Sequence, residues 1–213
     1  MLFRSDPKLF LDFFSEWTLL AVAYTKENKQ DFVCLEYYRE LLDAYGDFSD
    51  TNYNDLVKTK LQLIFHYSFW KDGGGSFSNL ADDEREWLEN MQTNFPTEVE
   101  GRTAEAEETG DFQLALDLMK SMYRYYLSLK KPNEAITFLK AAIETLPKTD
   151  DFKEAELGDL NLDLGKILFG YKKFTAALRY FEVAKDIYER GGEETEMKFY
   201  QAEGWVEDCE GKG

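Results

Sequence analysis

The sequence predicts an all-α protein, and three observations lead to that fold class. Apolar residues recur at intervals of three and four along most of the chain, which is the spacing of one face of an α-helix. Only four prolines occur in 213 residues. No window of the sequence shows the alternation of apolar and polar residues that indicates a half-buried strand. We therefore expect about nine helices that pack through apolar stripes.

The first half of the chain is expected to contain four helices, at 6–25, 29–45, 53–70 and 80–94. The first has an apolar stripe wide enough for deep packing, formed by Leu9, Phe10, Phe13, Phe14, Trp17, Leu20, Ala21 and Tyr24. Gly46 ends the second helix, and the glycine-rich segment 71–76 makes a flexible connector after the third. Pro96 ends or kinks the fourth helix, and a polar helical segment follows at 98–108.

Five further helices are expected in the second half, at 112–129, 133–146, 152–170, 173–190 and 194–209. Each has the apolar spacing of a helix with one buried face. The segments between them contain residues that favour turns, namely Gly110-Asp111, Pro132-Asn133, Pro147, Gly170 and Gly191-Gly192.

Two copies of a pattern of small and large residues occur in this second half. They read Ala135-x3-Leu139-x2-Ala142-x4-Pro147 and Phe174-x2-Ala177-x3-Phe181-x2-Ala184, the second after a Leu164-Gly165 pair. Small residues stand where two helices approach closely, and large ones fill the crossing. The pattern resembles the tetratricopeptide repeat, a helix-turn-helix unit that stacks into an α-solenoid. The resemblance is clear over about 112–190 and weaker over 14–45.

This resemblance implies a domain organisation and a mode of action. It implies a solenoid of about nine antiparallel helices, because each repeat contacts only its neighbours. Residues 1–95 would form a helical half of similar type, 96–111 a seam, and 112–213 a pair of repeats with a capping helix. Members of this family bind other proteins, so the resemblance implies a non-catalytic scaffold or adaptor that holds a protein segment in its groove.

Composition restricts the class of partner. The formal net charge is −17 and the isoelectric point is near 4.5. Nucleic acids and anionic membranes both require basic surface, so we expect neither as a partner. A protein with a basic surface is an alternative, and so is an acidic surface that only confers solubility. The N-terminal residues have no signal-peptide pattern, so we expect a cytoplasmic protein.

Residues that could carry catalysis or bind a metal are scarce. His66 is the only histidine and is expected to be a hydrogen-bonded, partly buried ring. The two cysteines are far apart in sequence: Cys34 is expected in the core, and Cys209 is expected to be exposed and protonated. Zinc sites need clustered cysteine and histidine ligands. We therefore expect no enzyme activity, no metal and no cofactor.

The resemblance also implies where a partner would bind. In this family the first helix of each unit lines the inner groove. That assignment carries over to Lys120, Arg124, Leu127, Leu162, Asp163, Lys166 and Phe169. Lys120 and Arg124 are four residues apart on one helix face, and Lys166 on the next unit would complete a small basic spot for a carboxylate. The alternative is that these cations pair with nearby acidic residues.

A second candidate surface is acidic. Carboxylates crowd the start of the helix 152–170, at Glu154, Glu156, Asp159 and Asp163. Acidic residues also stabilise the positive end of a helix dipole, so this cluster has a structural explanation as well. Among the aromatic residues, at least one of Tyr123, Tyr125 and Tyr126 is expected to be exposed or to lie against a neighbouring helix. Trp205, with Met197 and Tyr200, is expected to cap the core, or else to form an apolar strip that supports a homodimer.

Three function classes follow from these observations. The first is an adaptor that binds a protein segment in the groove. The second is an acidic neutralising partner, such as a toxin-immunity protein or a secretion chaperone, that masks a basic target. The third is an enzyme or ligand sensor with a site between the two halves, near 66–111.

Overall fold

A computed structural model describes residues 31–46, 49–69 and 81–212, with side chains at 36–43, 53–64 and 81–212. Every regular element in these ranges is helical. In chain order the α-helices are α1 (Asp31–Gly46), α2 (Ser49–Phe69), α3 (Asp82–Thr109), α4 (Phe112–Ser128), α5 (Pro132–Thr145), α6 (Glu154–Gly170), α7 (Phe174–Arg190) and α8 (Glu196–Glu210). They correspond to eight of the nine predicted helices. The other one, at 6–25, lies outside the described ranges.

The chain divides into two compact units, Met1–Gly101 and Arg102–Gly213. The boundary lies inside α3. In the first unit, buried apolar residues of α1, α2 and α3 include Tyr38, Leu41, Val57, Ile64, Leu88 and Phe95. An ion pair joins α2 to α3, since Lys60 Nζ lies 2.7 Å from Glu98 Oε1. The predicted environments of Cys34 and His66 concern side chains outside the described ranges.

Helix α3 continues through Pro96 as a single element. Proline removes one backbone donor and crowds the preceding turn, which costs about 3 kcal/mol in a helix interior. Two side chains that flank it oppose this cost, because Phe95 and Val99 are both fully buried. At the start of the helix, Glu84 accepts a hydrogen bond from the backbone N–H of Ala81 at 3.0 Å. The polar segment 98–108 is thus part of the same helix.

Helices α4 to α8 belong to the second unit, and short turns connect them. Gly110, with φ +80°, occupies the left-handed region that suits glycine, and Asp111 then caps α4 by accepting from the N–H of Leu114 at 3.0 Å. Pro132 occupies the first position of α5, where its missing N–H has no cost. A short 3-10 helix, Leu146–Lys148, follows α5.

Small residues permit the closest helix approaches in this unit. A Cβ atom on Gly158 would lie 2.6 Å from Tyr188 Cε1, and one on Gly165 would lie 2.5 Å from Phe181 Cε1. Ala177 is fully buried, and so are Phe181 and Ala184. The pattern of small and large residues that predicts a close helix crossing therefore forms the buried contact between α6 and α7.

Helix α8 covers the aromatic part of this core. Trp205 stacks on Phe181 with 5.4 Å between ring centroids, which agrees with its predicted capping role. Its predicted companions Met197 and Tyr200 are 83% and 57% exposed, so they do not cap the core. Cys209 is buried rather than exposed, which corrects the sequence interpretation. Burial raises the pKa of its thiol, and Asp208 adds to this effect.

Candidate functional site

The cations expected in the groove do not form a free basic spot. Lys120 of α4 forms an ion pair with Glu156 of α6, and its Nζ lies 3.8 Å from Asp117 Oδ1. On α6, Lys166 Nζ lies 3.9 Å from Asp163 Oδ1. Carboxylates therefore compensate two of the three predicted cations, as the alternative interpretation of these residues expects.

The other predicted groove residues differ in their accessibility. Arg124 is exposed, and its guanidinium carbon lies 5.8 Å from the centroid of the Tyr123 ring. Leu127 is 37% exposed. Leu162, in contrast, is buried and belongs to the core of the second unit. Phe169 is half-buried and packs against that core, whereas the side chains of Lys166 and Asp163 are 35% and 44% exposed.

The four carboxylates expected to form an acidic face all have cationic partners. Glu154 Oε1 accepts a hydrogen bond from Arg190 Nε at 3.2 Å. Asp159 lies 2.7 Å from Lys198 Nζ through Oδ1, and Tyr188 also donates its hydroxyl to that oxygen at 2.7 Å. The remaining two carboxylates pair with the groove lysines described above. Three of these pairs join α6 to α4, α7 and α8, so the carboxylates of the predicted acidic face have structural roles.

Buried tyrosine hydroxyls contribute to the same contacts. Tyr123 donates to Asp163 Oδ2 at 3.2 Å, and burial raises the pKa of this phenol. Burial and the hydrogen bond to Asp159 raise the pKa of Tyr188, and burial raises the pKa of Tyr125 to about 12. Tyr126 stacks on Phe138 with 5.5 Å between centroids, so it lies against a neighbouring helix as predicted. Protonated phenols of this kind act as structural donors.

A surface pocket of 560 Å³ lies where α5, α6 and α7 meet. Its volume falls within the range of small-molecule and peptide side-chain sites. The described residues that line it are Lys140, Asn161, Leu168, Thr175, Ala176, Arg179, Tyr180 and Val183. We call it the α5–α7 pocket. It uses the face of α7 that points away from Ala177 and Phe181, and the sequence interpretation did not identify it.

Polar groups in the α5–α7 pocket have unused bonding capacity. Within the described part of the chain, Lys140 and Arg179 form no ion pair, and both are exposed. Asn161 is buried and donates Nδ2–H to the carbonyl oxygen of Leu157 at 2.7 Å. Its Oδ1 accepts no hydrogen bond from the residues that the structure describes. Both charged residues of the lining are therefore cations available to an anionic ligand.

A second pocket, of 400 Å³, has the opposite charge. It lies between the end of α7 and the start of α8 and is lined by Tyr188, Glu189, Gly192, Glu193, Glu196 and Phe199. We call it the α7–α8 pocket. Glu193 and Glu196 are exposed and form no ion pair with the described residues. This pocket therefore brings uncompensated carboxylates onto a cavity, which the predicted acidic face does not.

The described side chains offer few groups for metal binding or nucleophilic catalysis. Within the ranges that the structure covers, no group of three or more histidine, cysteine or acidic residues could hold a metal ion. The one cysteine among these side chains, Cys209, is buried with a raised pKa, whereas reactive cysteines are partly exposed with a lowered pKa. No helix found in those ranges combines the length and apolar character that crossing a membrane requires.

One sequence signal could have indicated the α5–α7 pocket. Val183 lies three residues after Tyr180 and four after Arg179, so it is next to both on the outer face of α7. An outer face normally carries charged and small polar residues, yet Val183 is 44% exposed there. The mixture of a cation, an aromatic ring and an exposed aliphatic residue is more typical of a binding surface than of a solvated one.

Comparisons with known proteins do not assign the chain to a family. No model of a known protein family matches it, and no curated protein shows a significant match. The resemblance of 112–190 to the tetratricopeptide repeat therefore stays a prediction.

Proposed function

We propose that the protein is a non-catalytic, cytoplasmic scaffold of tetratricopeptide type that binds a segment of another protein. The observation that carries this proposal is the α5–α7 pocket, an open cavity of 560 Å³ built by side chains from three helices. Preformed helices present such a surface without an ordering cost, which favours recognition of extended or helical segments.

The repeat architecture is supported by the order of contacts along the helices. Between α6 and α7 the contacts run in opposite order, since Gly158 meets Tyr188 and Gly165 meets Phe181. This order supports an antiparallel helical hairpin. The turn before α7 is short, as expected for antiparallel neighbours.

Contacts between non-consecutive helices support stacking of such hairpins. Lys120 of α4 pairs with Glu156 of α6, and further along both helices Tyr123 reaches Asp163. The contacts therefore run in the same order along α4 and α6. Parallel first helices are what a stack of helix-turn-helix units requires, with α8 as the capping helix of the predicted 112–213 region.

Recognition is better placed in the α5–α7 pocket than in the predicted groove. In the groove, Lys120 and Lys166 already have carboxylate partners, and Leu162 is buried. A ligand there would have to compete with existing ion pairs. In the α5–α7 pocket the cations have no such partners among the described residues, so a ligand gains their interaction without breaking another.

Selection from a phage library of random peptides tests the proposal. The full chain is immobilised, and peptides enriched over several rounds are sequenced and resynthesised with a fluorescent label. We expect a recurring motif whose peptides bind with saturable anisotropy. Their binding should weaken about tenfold when Val183→Asp places a carboxylate in the pocket. Failure to enrich any motif would refute the scaffold function.

A second candidate function, an acidic neutralising partner for a basic protein, is favoured by the α7–α8 pocket. Glu189, Glu193 and Glu196 line that cavity, and Phe199 adds an aromatic surface for a lysine or arginine side chain. This site differs from the acidic face expected from the sequence, whose carboxylates are compensated.

The same selection separates the two functions. Enrichment of lysine- and arginine-rich peptides that no longer bind after Glu193→Lys with Glu196→Lys would support the neutralising function. Binding of this kind should also weaken markedly between low and physiological salt, because exposed charges are screened. Basic peptides that bind this variant as tightly as the unmodified chain would exclude the α7–α8 pocket.

A further inference from the structure

We propose that the α5–α7 pocket selects acidic segments of a partner protein, in which carboxylates flank an apolar side chain. This inference rests on the proposed scaffold function and specifies the chemistry of the partner. Lys140 and Arg179 bind the carboxylates, the apolar residue contacts Leu168 and Val183, and Asn161 accepts a hydrogen bond from the segment's backbone.

The charge of the lining is unusual for this protein. The chain has 42 acidic and 25 basic residues, yet among the described residues that line the pocket both charged ones are cations and none is a carboxylate. Two other cations of the second unit, Lys185 and Lys198, are paired with carboxylates of neighbouring helices, whereas the exposed Arg124 is not. Lys140 and Arg179 have no such partner among the described residues. A carboxylate on the ligand supplies the missing charge.

The apolar part of the lining argues against a simple inorganic anion. Among the apolar lining residues, exposure increases from Leu168 and Ala176 to Val183, which is 44% exposed. Tyr180 contributes an aromatic ring that is half-buried. A phosphate or sulfate ion would leave this apolar surface in water, whereas a leucine or phenylalanine side chain would cover it.

Asn161 favours a peptide over other organic anions. This side chain is 4% exposed, and its Nδ2–H is already used by the Leu157 carbonyl. Its Oδ1 has no donor among the described residues. This oxygen is not itself buried, so a backbone N–H of an incoming segment, a donor that every peptide carries, can reach it.

The net negative charge of the protein restricts which acidic segments the pocket can bind. A net charge of −17 repels any acidic segment at a distance, so attraction must come from contacts inside the pocket. Acidic character alone is therefore insufficient, and the apolar residue is needed as well. The α7–α8 pocket, with its three glutamates, cannot serve as an alternative site for such a segment.

The test uses the phage selection with a counter-selection against Lys140→Glu combined with Arg179→Glu in the full chain. We expect the retained peptides to contain aspartate or glutamate next to leucine, isoleucine or phenylalanine. Labelled copies of these peptides should lose about tenfold or more in affinity when their glutamates become glutamine. A similar loss should follow when their apolar residue becomes serine.

A matched variant controls for bulk charge. Lys131→Glu with Lys153→Glu changes the net charge equally, and neither residue lines the pocket. Peptide binding to this variant should stay within about twofold of the unmodified chain, while the pocket variant loses about tenfold. Helix content measured by circular dichroism verifies that both variants fold. The peptide substitutions test the same chemistry without any change to the protein.

The outcomes separate this inference from the proposed function. Enriched peptides that are neutral or basic, or that bind the pocket variant unchanged, would overturn the acidic specificity while leaving a peptide-binding scaffold in place. No enriched peptide at all would overturn both. Displacement of the labelled peptide by free glutamate or phosphate at equal concentration would show that the pocket binds small anions, and would also overturn the inference.

Discussion

The ring of Phe181 lies directly against Gly165, so closely that a Cβ atom on residue 165 would be 2.5 Å from Cε1 and 2.6 Å from Cδ1. Phe181 is fully buried, and its ring also stacks on Trp205 with 5.4 Å between centroids. The ring has little room to move away from α6. Position 165 therefore accommodates glycine and no larger residue without a shift of helix α6 or α7.

Replacement of Gly165 by alanine should destabilise the second unit. The added methyl group overpacks the contact with Phe181, at a cost of about 1–3 kcal/mol. Alanine recovers about 1 kcal/mol through its better helix propensity, so we expect a net loss of up to about 2 kcal/mol. Hydrogen exchange of peptides that cover α6 and α7 measures this change within the full chain.

Gly204 provides the matched control, because it lies within α8 and a Cβ atom there would meet nothing within 4 Å. Gly204→Ala should stabilise the unit by about 0.5–1 kcal/mol through helix propensity alone. If Gly165→Ala stabilises the protein as much as Gly204→Ala does, the close approach of α6 and α7 is wrong.

Lys120 should behave as a structural residue that joins α4 to α6. Lys120→Glu places a third carboxylate beside Glu156 and Asp117, and we expect a loss of about 1 kcal/mol in the free energy of unfolding. Adding Glu156→Lys restores an opposite-charge pair and should recover most of that loss. Thermal unfolding followed by circular dichroism provides the measurement.

Arg124 on the same helix face is the control for this charge swap. It is exposed and has no carboxylate partner among the described side chains, so Arg124→Glu should change stability by less than about 0.5 kcal/mol. Equal effects of Lys120→Glu and Arg124→Glu, or no recovery in the double variant, would contradict the assigned ion pair.

The sequence predicted the helices and the small-residue crossing because both are local patterns. Helical periodicity places Ala177, Phe181 and Ala184 on one face, and all three are fully buried. Spacing on one helix does not reveal which side chains of another helix face it. Lys120 and Glu156 are 36 residues apart, so their pairing depends on how α4 and α6 pack, and the groove appeared more basic than it is.

The same limit explains Cys209 and the α5–α7 pocket. Cys209 has acidic neighbours in sequence, which suggested an exposed position, but α8 packs that face onto the core. The pocket draws Lys140, Asn161 and Arg179 from three different helices, so no single segment contains its pattern. Both the burial of Cys209 and the formation of the pocket depend on how the helices pack against one another.

Tyr188 and Asp159 should show energetic coupling. Asp159→Ala removes the acceptor of a buried hydroxyl, which costs about 1–3 kcal/mol, whereas in the Tyr188→Phe background the same change leaves no hydroxyl unsatisfied. We therefore expect a coupling energy of about 1 kcal/mol in the double-mutant cycle, measured by urea unfolding.

Two further variants distinguish the stability contributed by the Tyr188 hydroxyl bond from that contributed by the Asp159–Lys198 ion pair. Asp159→Asn keeps an acceptor for Tyr188 and should cost less than Asp159→Ala. Lys198→Ala removes only a half-exposed ion pair, and should cost no more than about 1 kcal/mol. A cycle with zero coupling would show that the Tyr188 hydroxyl bond contributes nothing to stability.

Stability should fall at alkaline pH as the buried phenols ionise. Burial raises the pKa of Tyr125 to about 12, and it also raises those of Tyr123 and Tyr188. In the unfolded chain the pKa of a tyrosine is about 10. Between these values the folded state binds more protons, so the stability contributed by the neutral phenols is fully present below about pH 10 and is lost as the pH rises toward about 12.

Tyr125→Phe isolates one of these groups, because it removes a single buried phenol from the titration. The free energy of unfolding, measured with urea from about pH 8 to about pH 11.5, should decline less steeply for Tyr125→Phe than for the unmodified chain. Tyr200→Phe is the matched control, since Tyr200 is 57% exposed and its loss should leave the decline unchanged. Identical slopes for all three proteins would mean that the Tyr125 phenol is solvated in the folded state, because only a hydrated phenol titrates alike before and after unfolding.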